Sequence, residues 1–497
     1  MAQPAAALQP VVPPVVSSTG MTVDNIAGIL DAPAGGAPDR PALLLPDGSV
    51  WSYGALQAEV RRWAATLAAV GVGTGDRIAL ADWGGPRSTA VTLAAAHLGA
   101  ATAQMNPLLT SSELGQLLEL SGCGEVAVGT ALAGAVGTVL EAPDDEGPAP
   151  QRASGGDRDA LVLFTSGTTG LPKPVPISHA AVLARVAAYR PAFAGDRPPN
   201  VSIMCVPSFH VGGMLGLLLS LWSGDTTVVQ PRFDPGEWLR LVAAHRVASA
   251  FVVPTMLARI LDHPDRADAD LSSLALVSYG AAAAPVELVR RAMEAWPAAG
   301  FANVFGQTET LGAYTTLSPA DHRDPARVGS VGRPLPGVEV RVVDPATGED
   351  VPAGETGELW VRSPQNVRSG WLQTGDLGRL DSDGYLYPTG RITDTINRGG
   401  EKFGPAEVAD VLRGHPDIDD VAVAGVADEE MGERVGVAVV VRPGAAAPTV
   451  DALREWCRDR LAPFKLPEVL VIVDALPYNE LGKLPRPVTA ALIGGRR

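Results

Sequence analysis

The chain has 497 residues, 46% of them hydrophobic and 19% charged, with 55 acidic against 39 basic side chains and a formal charge of −16. That length exceeds what one hydrophobic core serves, so a large domain with at least one smaller partner is expected, and the acidic balance argues against a nucleic-acid surface. Cys123, Cys205 and Cys457 lie far apart without metal-ligand spacing, which excludes a disulfide framework or a zinc site and makes reduced thiols in a cytoplasmic setting the expectation.

Residues 1–20 are rich in Ala, Pro and Val but hold no Lys or Arg; the prolines interrupt the apolar run of a signal peptide, and the stretch reads as a loose arm. From about residue 22, strand-like runs alternate with Ala/Leu-rich helical stretches, as in 77–81 followed by 88–98, and further strands are predicted at 201–206, 226–229, 250–253 and 274–278. Such alternation suggests α/β layers. The most apolar segment, 211–222, is too short to span a bilayer and reads as a buried helix. Around 328–362 the texture becomes Gly/Pro-punctuated alternation suited to antiparallel strands. After Asp394 a compact α+β pattern follows, with helices at 405–412 and 450–461 and strands at 421–426, 435–441 and 468–473. The acidic loop 144–147 and the Ala/Pro segment 443–448 read as solvated connections.

Behind the apolar run 160–164 stands Thr165-Ser166-Gly167-Thr168-Thr169-Gly170-Leu171-Pro172-Lys173. Its glycines admit backbone N–H groups to phosphate oxygens, its hydroxyls add donors and Lys173 adds a mobile cation, so it reads as a polyphosphate loop with ATP as the expected nucleotide. Walker spacing is absent, which excludes a P-loop NTPase. Other landmarks follow in order: Pro207-Ser208-Phe209-His210, Tyr279-Gly280-Ala281-Ala282, Asn303-Val304-Phe305-Gly306-Gln307-Thr308-Glu309, Thr374-Gly375-Asp376, Gly390-Arg391 and Gly482-Lys483. Together they resemble the adenylate-forming superfamily of acyl- and aryl-CoA synthetases, carrier-loading adenylation domains and beetle luciferases. The stretches from Gly384 to Arg391 and from Asn397 to Lys402 look most like its acid–CoA ligase branch.

The resemblance implies an α/β fold: a large N-terminal domain of stacked sheets with a small barrel-like subdomain, and a smaller, mobile α+β C-terminal domain. The expected boundaries are an arm at 1–21, an adenylation domain at 22–391 and a C-terminal domain at 392–497. It also implies that residues 165–173 clamp the phosphates, that Glu309 is the magnesium-associated carboxylate, and that Thr308 contacts the α-phosphate. Gly280, Ala281 and Ala282 would wall the adenine slot with Phe305 stacking, flanked by Gly306 and Gln307; Asp376 would accept both ribose hydroxyls with help from Arg391. Lys483 would bridge the acid carboxylate and ATP. His210 would border the carboxylate, with Phe209, Gly212, Gly213, Met214 and Gly312 around a pocket for a bulky hydrophobic or aryl acid. Gly399, Gly400 and Lys402 would lie near the path of CoA.

Three departures from the family pattern stand out. Thr393 occupies the hinge position where relatives place Asp or Lys, the passage 363–371 is short, and Pro174 and Pro176 follow Lys173. The expected activity is a magnesium-dependent, AMP-forming acid–CoA ligase using ATP, CoA and a small-molecule carboxylic acid. The alternatives are an adenylating enzyme that hands acyl-AMP to a separate ligase or carrier protein, and a nucleotide-binding regulator without turnover. An amino-acid adenylation domain is disfavoured because the His210 region lacks the aspartate such domains use for the α-amino group, and nothing positive points to a luciferase.

Overall fold

Short, largely apolar runs separated by helices build two large sheets around one shared core. The computed structural model describes residues 15–16, 22–133, 136, 138–141, 147–165, 172–189, 199–398, 401–428, 431–479, 484 and 486–495. One sheet has six strands in the order Lys173–Ser178, Asp159–Thr165, Ala101–Met105, Arg77–Ala81, Val126–Val128 and Thr138–Leu140. Arg77–Ala81 and Ala101–Met105 run parallel, and helix Pro86–His97, with proline in its first turn and residues 88–96 buried, makes the crossover.

The second sheet has nine strands, in the order Arg333–Pro334, Gly312–Leu317, Gly300–Gln307, Leu276–Gly280, Ser249–Val252, Val201–Met204, Thr226–Val229, Pro41–Leu44 and Val50–Ser52. It is parallel at its centre and antiparallel at both margins. A single cluster joins Leu80, Leu161 and Leu163 of the first sheet to Leu43, Met204 and Val229 of the second, through Leu56 and Trp63 of helix Tyr53–Ala69 and Leu217 and Leu221 of helix Val211–Trp222. The segment 211–222 is thus the buried helix its apolar run predicts, and among the described residues no helix is long and apolar enough to cross a membrane.

The N-terminal side is tied into this core by polar contacts. Asn25 Nδ2 donates to the carbonyls of Ala96 (2.7 Å) and Ala153 (3.0 Å). His179, fully buried, accepts the Ile26 N–H on Nδ1 at 3.1 Å. Burial lowers the His179 pKa from 6.5 to about 4. A histidine whose folded-state pKa is depressed stabilises the fold fully above its unfolded value and loses that contribution as pH falls from 6.5 toward 4. Urea unfolding at pH 5 should therefore show a deficit of roughly 2 kcal/mol relative to pH 7 that His179→Asn, whose amide oxygen can take the same N–H, removes.

The Gly/Pro-punctuated stretch forms a four-stranded antiparallel meander, Glu339–Val343, Gly357–Arg362, Leu372–Leu380 and Leu386–Arg391. Bulges between Glu358 and Trp360 and between Leu377 and Gly378 bend it, and its inner face covers Tyr314 with Leu359, Val361 and Leu386. The smaller C-terminal domain follows. A long hairpin, Ile418–Asp428 with Gly432–Val441, pairs in register from Ile418 with Val441 to Asp428 with Gly432, and Val469–Ile472 adds in parallel. Helices Pro405–Arg413 and Val450–Cys457 close one face, with Leu412 and Leu453 in one cluster with Val421 and Val437 of the hairpin. The second helix stops at Cys457, earlier than its apolar pattern predicts, and the chain turns before the 3-10 segment Pro463–Lys465. Of the N-terminal arm, Val15–Val16 pairs with Thr22–Val23 and the remainder lies outside the described residues.

Candidate active site

Asp159–Thr165 and Lys173–Ser178 are antiparallel neighbours with Thr165 opposite Lys173, so the two ends of the segment expected to bind polyphosphate are held side by side at the mouth of a hairpin. Ser166, Gly167, Thr168, Thr169 and Gly170 lie outside the described residues, as do Gly399, Gly400, Lys483 and the side chains of Thr393 and Lys402. Lys173 is exposed. Pro174 and Pro176 sit on the outermost strand of the six-stranded sheet, where a missing N–H need not break a ladder.

Leu276–Gly280 and Gly300–Gln307 are parallel neighbours whose carboxyl ends open on the same side, the edge at which open α/β sheets take ligands. A Cβ at Gly280 would run into the carbonyl of Val304, so only glycine fits there. The next residue, Ala281, has φ +67, a left-handed conformation that costs a non-glycine residue roughly 1 kcal/mol and clusters at functional sites. The Phe305 ring meets Tyr314 edge-on at 5.3 Å.

Facing them, Asp376 is buried on strand Leu372–Leu380 with Arg391 opposite in register. Arg391 Nε donates to Asp376 Oδ1 at 2.8 Å, and the arginine side chain is half exposed. The Asp376 N–H donates to Thr374 Oγ1 (3.1 Å), whose own proton goes to the Leu359 carbonyl (2.7 Å). Gln307 Nε2 reaches the Thr374 carbonyl at 3.4 Å, joining the two walls. Behind them the Tyr314 phenol is fully buried, and burial together with the Asp376 charge holds its pKa well above the usual value.

Thr308–Thr310 forms a one-turn 3-10 helix after the Gly300–Gln307 strand. Thr310, fully buried, knots it: its hydroxyl accepts the Gln307 N–H at 3.0 Å and lies 2.7 Å from the Gly312 carbonyl. Leu311 then takes φ +50. Glu309 is half buried, and among the described residues no cation pairs with it. One hard carboxylate suits Mg²⁺, which is commonly held by one or two carboxylates plus substrate phosphates. Among the described residues no group of three acidic, His or Cys side chains forms a closed metal cage.

His210 is the N-cap of helix Val211–Trp222, with extended backbone (φ −104, ψ 146). Its ring is 4.5 Å from that of buried Phe209, which meets Trp83 edge-on at 5.9 Å. The surrounding residues divide between faces of the helix. Gly212 lies against the Phe251 ring and Gly213 against the carbonyls of Val206 and Pro207. Met214 faces Ser88, Thr92 and Ser208, and Leu215 approaches Gly312. One turn beyond Gly212, Gly216 is exposed, and no atom lies within 4 Å of where its Cβ would be, although residues 213–215 and 217–221 are buried. Sequence reasoning missed Gly216, for which the i, i+4 spacing from Gly212 was the available signal. It also missed Gln365 and Asn366, buried amides of the shortened 363–371 passage.

Comparison with known proteins places these elements in context. The family model described as AMP-binding enzyme matches residues 30–371, and that described as AMP-binding enzyme C-terminal domain matches 407–483. A feruloyl-CoA synthase of Amycolatopsis sp is 33% identical over 88% of this chain and 93% of its own. A fatty acid–acyl-carrier-protein ligase, ScoC of Streptomyces coeruleorubidus, is 30% identical over 90% and 92%. Among solved structures, the o-succinylbenzoate coenzyme A synthetase of Bacillus subtilis in complex with ATP and magnesium ion superimposes with a TM-score of 0.82 at 28% identity, covering 93% of this chain and 99% of that one.

Proposed function

The chain belongs to the AMP-binding enzyme family, and on that premise we propose that it is an AMP-forming acid–CoA ligase acting on a bulky hydrophobic or aryl carboxylic acid. The acid carboxylate attacks the α-phosphorus of ATP, giving acyl-AMP and pyrophosphate; the CoA thiolate then attacks the acyl carbon, giving the thioester and AMP. The observation that supports this is the pairing of Asp376 with Arg391, joined through the Gln307–Thr374 hydrogen bond to the strand ends at Gly280 and Gln307, next to the Glu309 turn.

In this assignment residues 165–173 and Thr308 hold the phosphates, Phe305 stacks on adenine, and Asp376 accepts the ribose hydroxyls. Glu309 holds Mg²⁺, which when bound spreads the negative charge of the reacting phosphates. Lys483 orients two anions that otherwise repel, and His210 borders the acid. Gly399, Gly400 and Lys402 lie on the route of CoA. Residues 1–21 form the arm, 22–391 the adenylation domain and 392–497 the domain that rotates between half-reactions, in the cytoplasm. The open space at Gly216, one turn beyond Gly212, supports a broad acid: Gly216→Phe should lower kcat/KM for aryl acids by about 10- to 100-fold while sparing short aliphatic acids, because a filled pocket forces overpacking or exclusion. Equal loss for both classes would remove Gly216 from the acid pocket.

Incubation with Mg-ATP and a panel of aliphatic and aryl acids, with and without CoA, followed by mass spectrometry, tests the proposal; acyl-CoA is the expected product. The similarity to ScoC favours a second outcome, acyl-AMP that turns over only with an acyl carrier protein. No adenylate from any acid would favour a regulator that binds nucleotide without turnover.

A further inference from the structure

We propose that Gln365, oriented by Arg185, is a positioning residue for the Thr308–Thr310 turn and thereby for the Glu309 carboxylate; this rests on the adenylation reading, which assigns Glu309 to magnesium. Gln365 is only 3% exposed. Its Nε2 donates to the carbonyls of Thr310 (2.9 Å) and Ala313 (3.0 Å), the two residues that bracket the left-handed pair Leu311 (φ +50) and Gly312 (φ +84). Arg185, also buried, comes from helix His179–Tyr189 and sets its Nη1 3.5 Å from Gln365 Oε1. Two carbonyls on one side and a guanidinium on the other admit only one orientation of the amide, so its donors are fixed toward the turn.

The same loop makes a further contact at the Glu309 backbone. The Val367 N–H donates to the Glu309 carbonyl at 3.0 Å. Consecutive carbonyls, those of Glu309 and Thr310, are thus both anchored by the shortened 363–371 passage. A leucine in the left-handed region persists where its surroundings over-determine it, and here the over-determining contacts are the Thr310 hydroxyl from inside the turn and Gln365 from outside. Without the amide, two buried carbonyls lose their donor and the kink relaxes, carrying Glu309 with it.

The test uses the full chain with Gln365→Met and Gln365→Glu. Methionine keeps the volume but donates nothing. Glutamate keeps the shape and pairs with Arg185, yet offers the carbonyls no N–H, which gives a second variant if the first fails to fold. Acid-dependent ATP–pyrophosphate exchange is followed across a Mg²⁺ titration, and ATP binding with and without Mg²⁺ is measured by calorimetry. The expected result is an exchange rate lower by about 10- to 100-fold, the scale of a roughly 1 Å misplacement, with about tenfold more Mg²⁺ needed for half-maximal rate and an unchanged KM for the acid. The gain in ATP affinity on adding Mg²⁺ should shrink alongside. A folded variant with lowered melting temperature but wild-type Mg²⁺ dependence would show that Gln365 is structural and overturn the proposal alone. Wild-type protein whose ATP binding ignores Mg²⁺ would instead overturn the assignment of Glu309, and the proposal with it.

Discussion

Asp376→Asn should raise the KM for ATP in acid-dependent pyrophosphate exchange by about 100-fold and leave the melting temperature nearly unchanged, since a hydrogen bond to a charged acceptor contributes about 1.5–3 kcal/mol and each 1.4 kcal/mol is tenfold. Two ribose hydroxyls each need an acceptor. A carboxylate supplies both, whereas an asparagine supplies one oxygen and sets an N–H₂ against the second hydroxyl. The side chain cannot swing away to compensate, because its backbone is pinned through Thr374 to Leu359 and its Oδ1 is engaged by Arg391. Stability should survive because Arg391 is half exposed, so water replaces its lost partner, and asparagine keeps the shape of the buried side chain and an oxygen that can still accept the Arg391 Nε–H. A variant with unchanged KM and normal turnover would remove Asp376 from the ribose site.

The sequence made some parts of this architecture readable and concealed others for identifiable reasons. Helix Val211–Trp222 was legible to the residue because a run of leucines too short for a membrane has few other solutions. The strands of the parallel core were legible within two residues, since each is a short apolar run followed by a helical stretch. Family resemblance named Asp376 and Arg391 for one site but not their ion pair, which follows from their opposition on adjacent strands. Ala281 in the left-handed region was not legible, because nothing in an alanine announces a conformation that glycine normally takes. Gln365 was hidden for a different reason: its importance lies in Thr310, Ala313 and Arg185, residues separated from it by 55, 52 and 180 positions. No local pattern encodes such a meeting.

Lys483→Ala should abolish acyl-AMP formation yet still allow preformed acyl-AMP and CoA to give the thioester. The first half-reaction brings a carboxylate against a polyphosphate, and one ammonium about 4 Å from an anion near a protein surface contributes about 4 kcal/mol, on the order of 1,000-fold in rate. The second half-reaction has no such repulsion, because the phosphate has become a leaving group and the nucleophile approaches from the CoA side. The separation requires that the C-terminal domain present different faces in turn, and its junction with the larger domain suits that. Gly404, the N-cap of helix Pro405–Arg413, lies directly on the Thr389 carbonyl beside Gly390, so at this point the joint is backbone against backbone. A thioester step lost in parallel with adenylation, in a variant that still binds ATP, would mean that the two half-reactions share one arrangement of the domains and that Thr393 marks a hinge that does not turn.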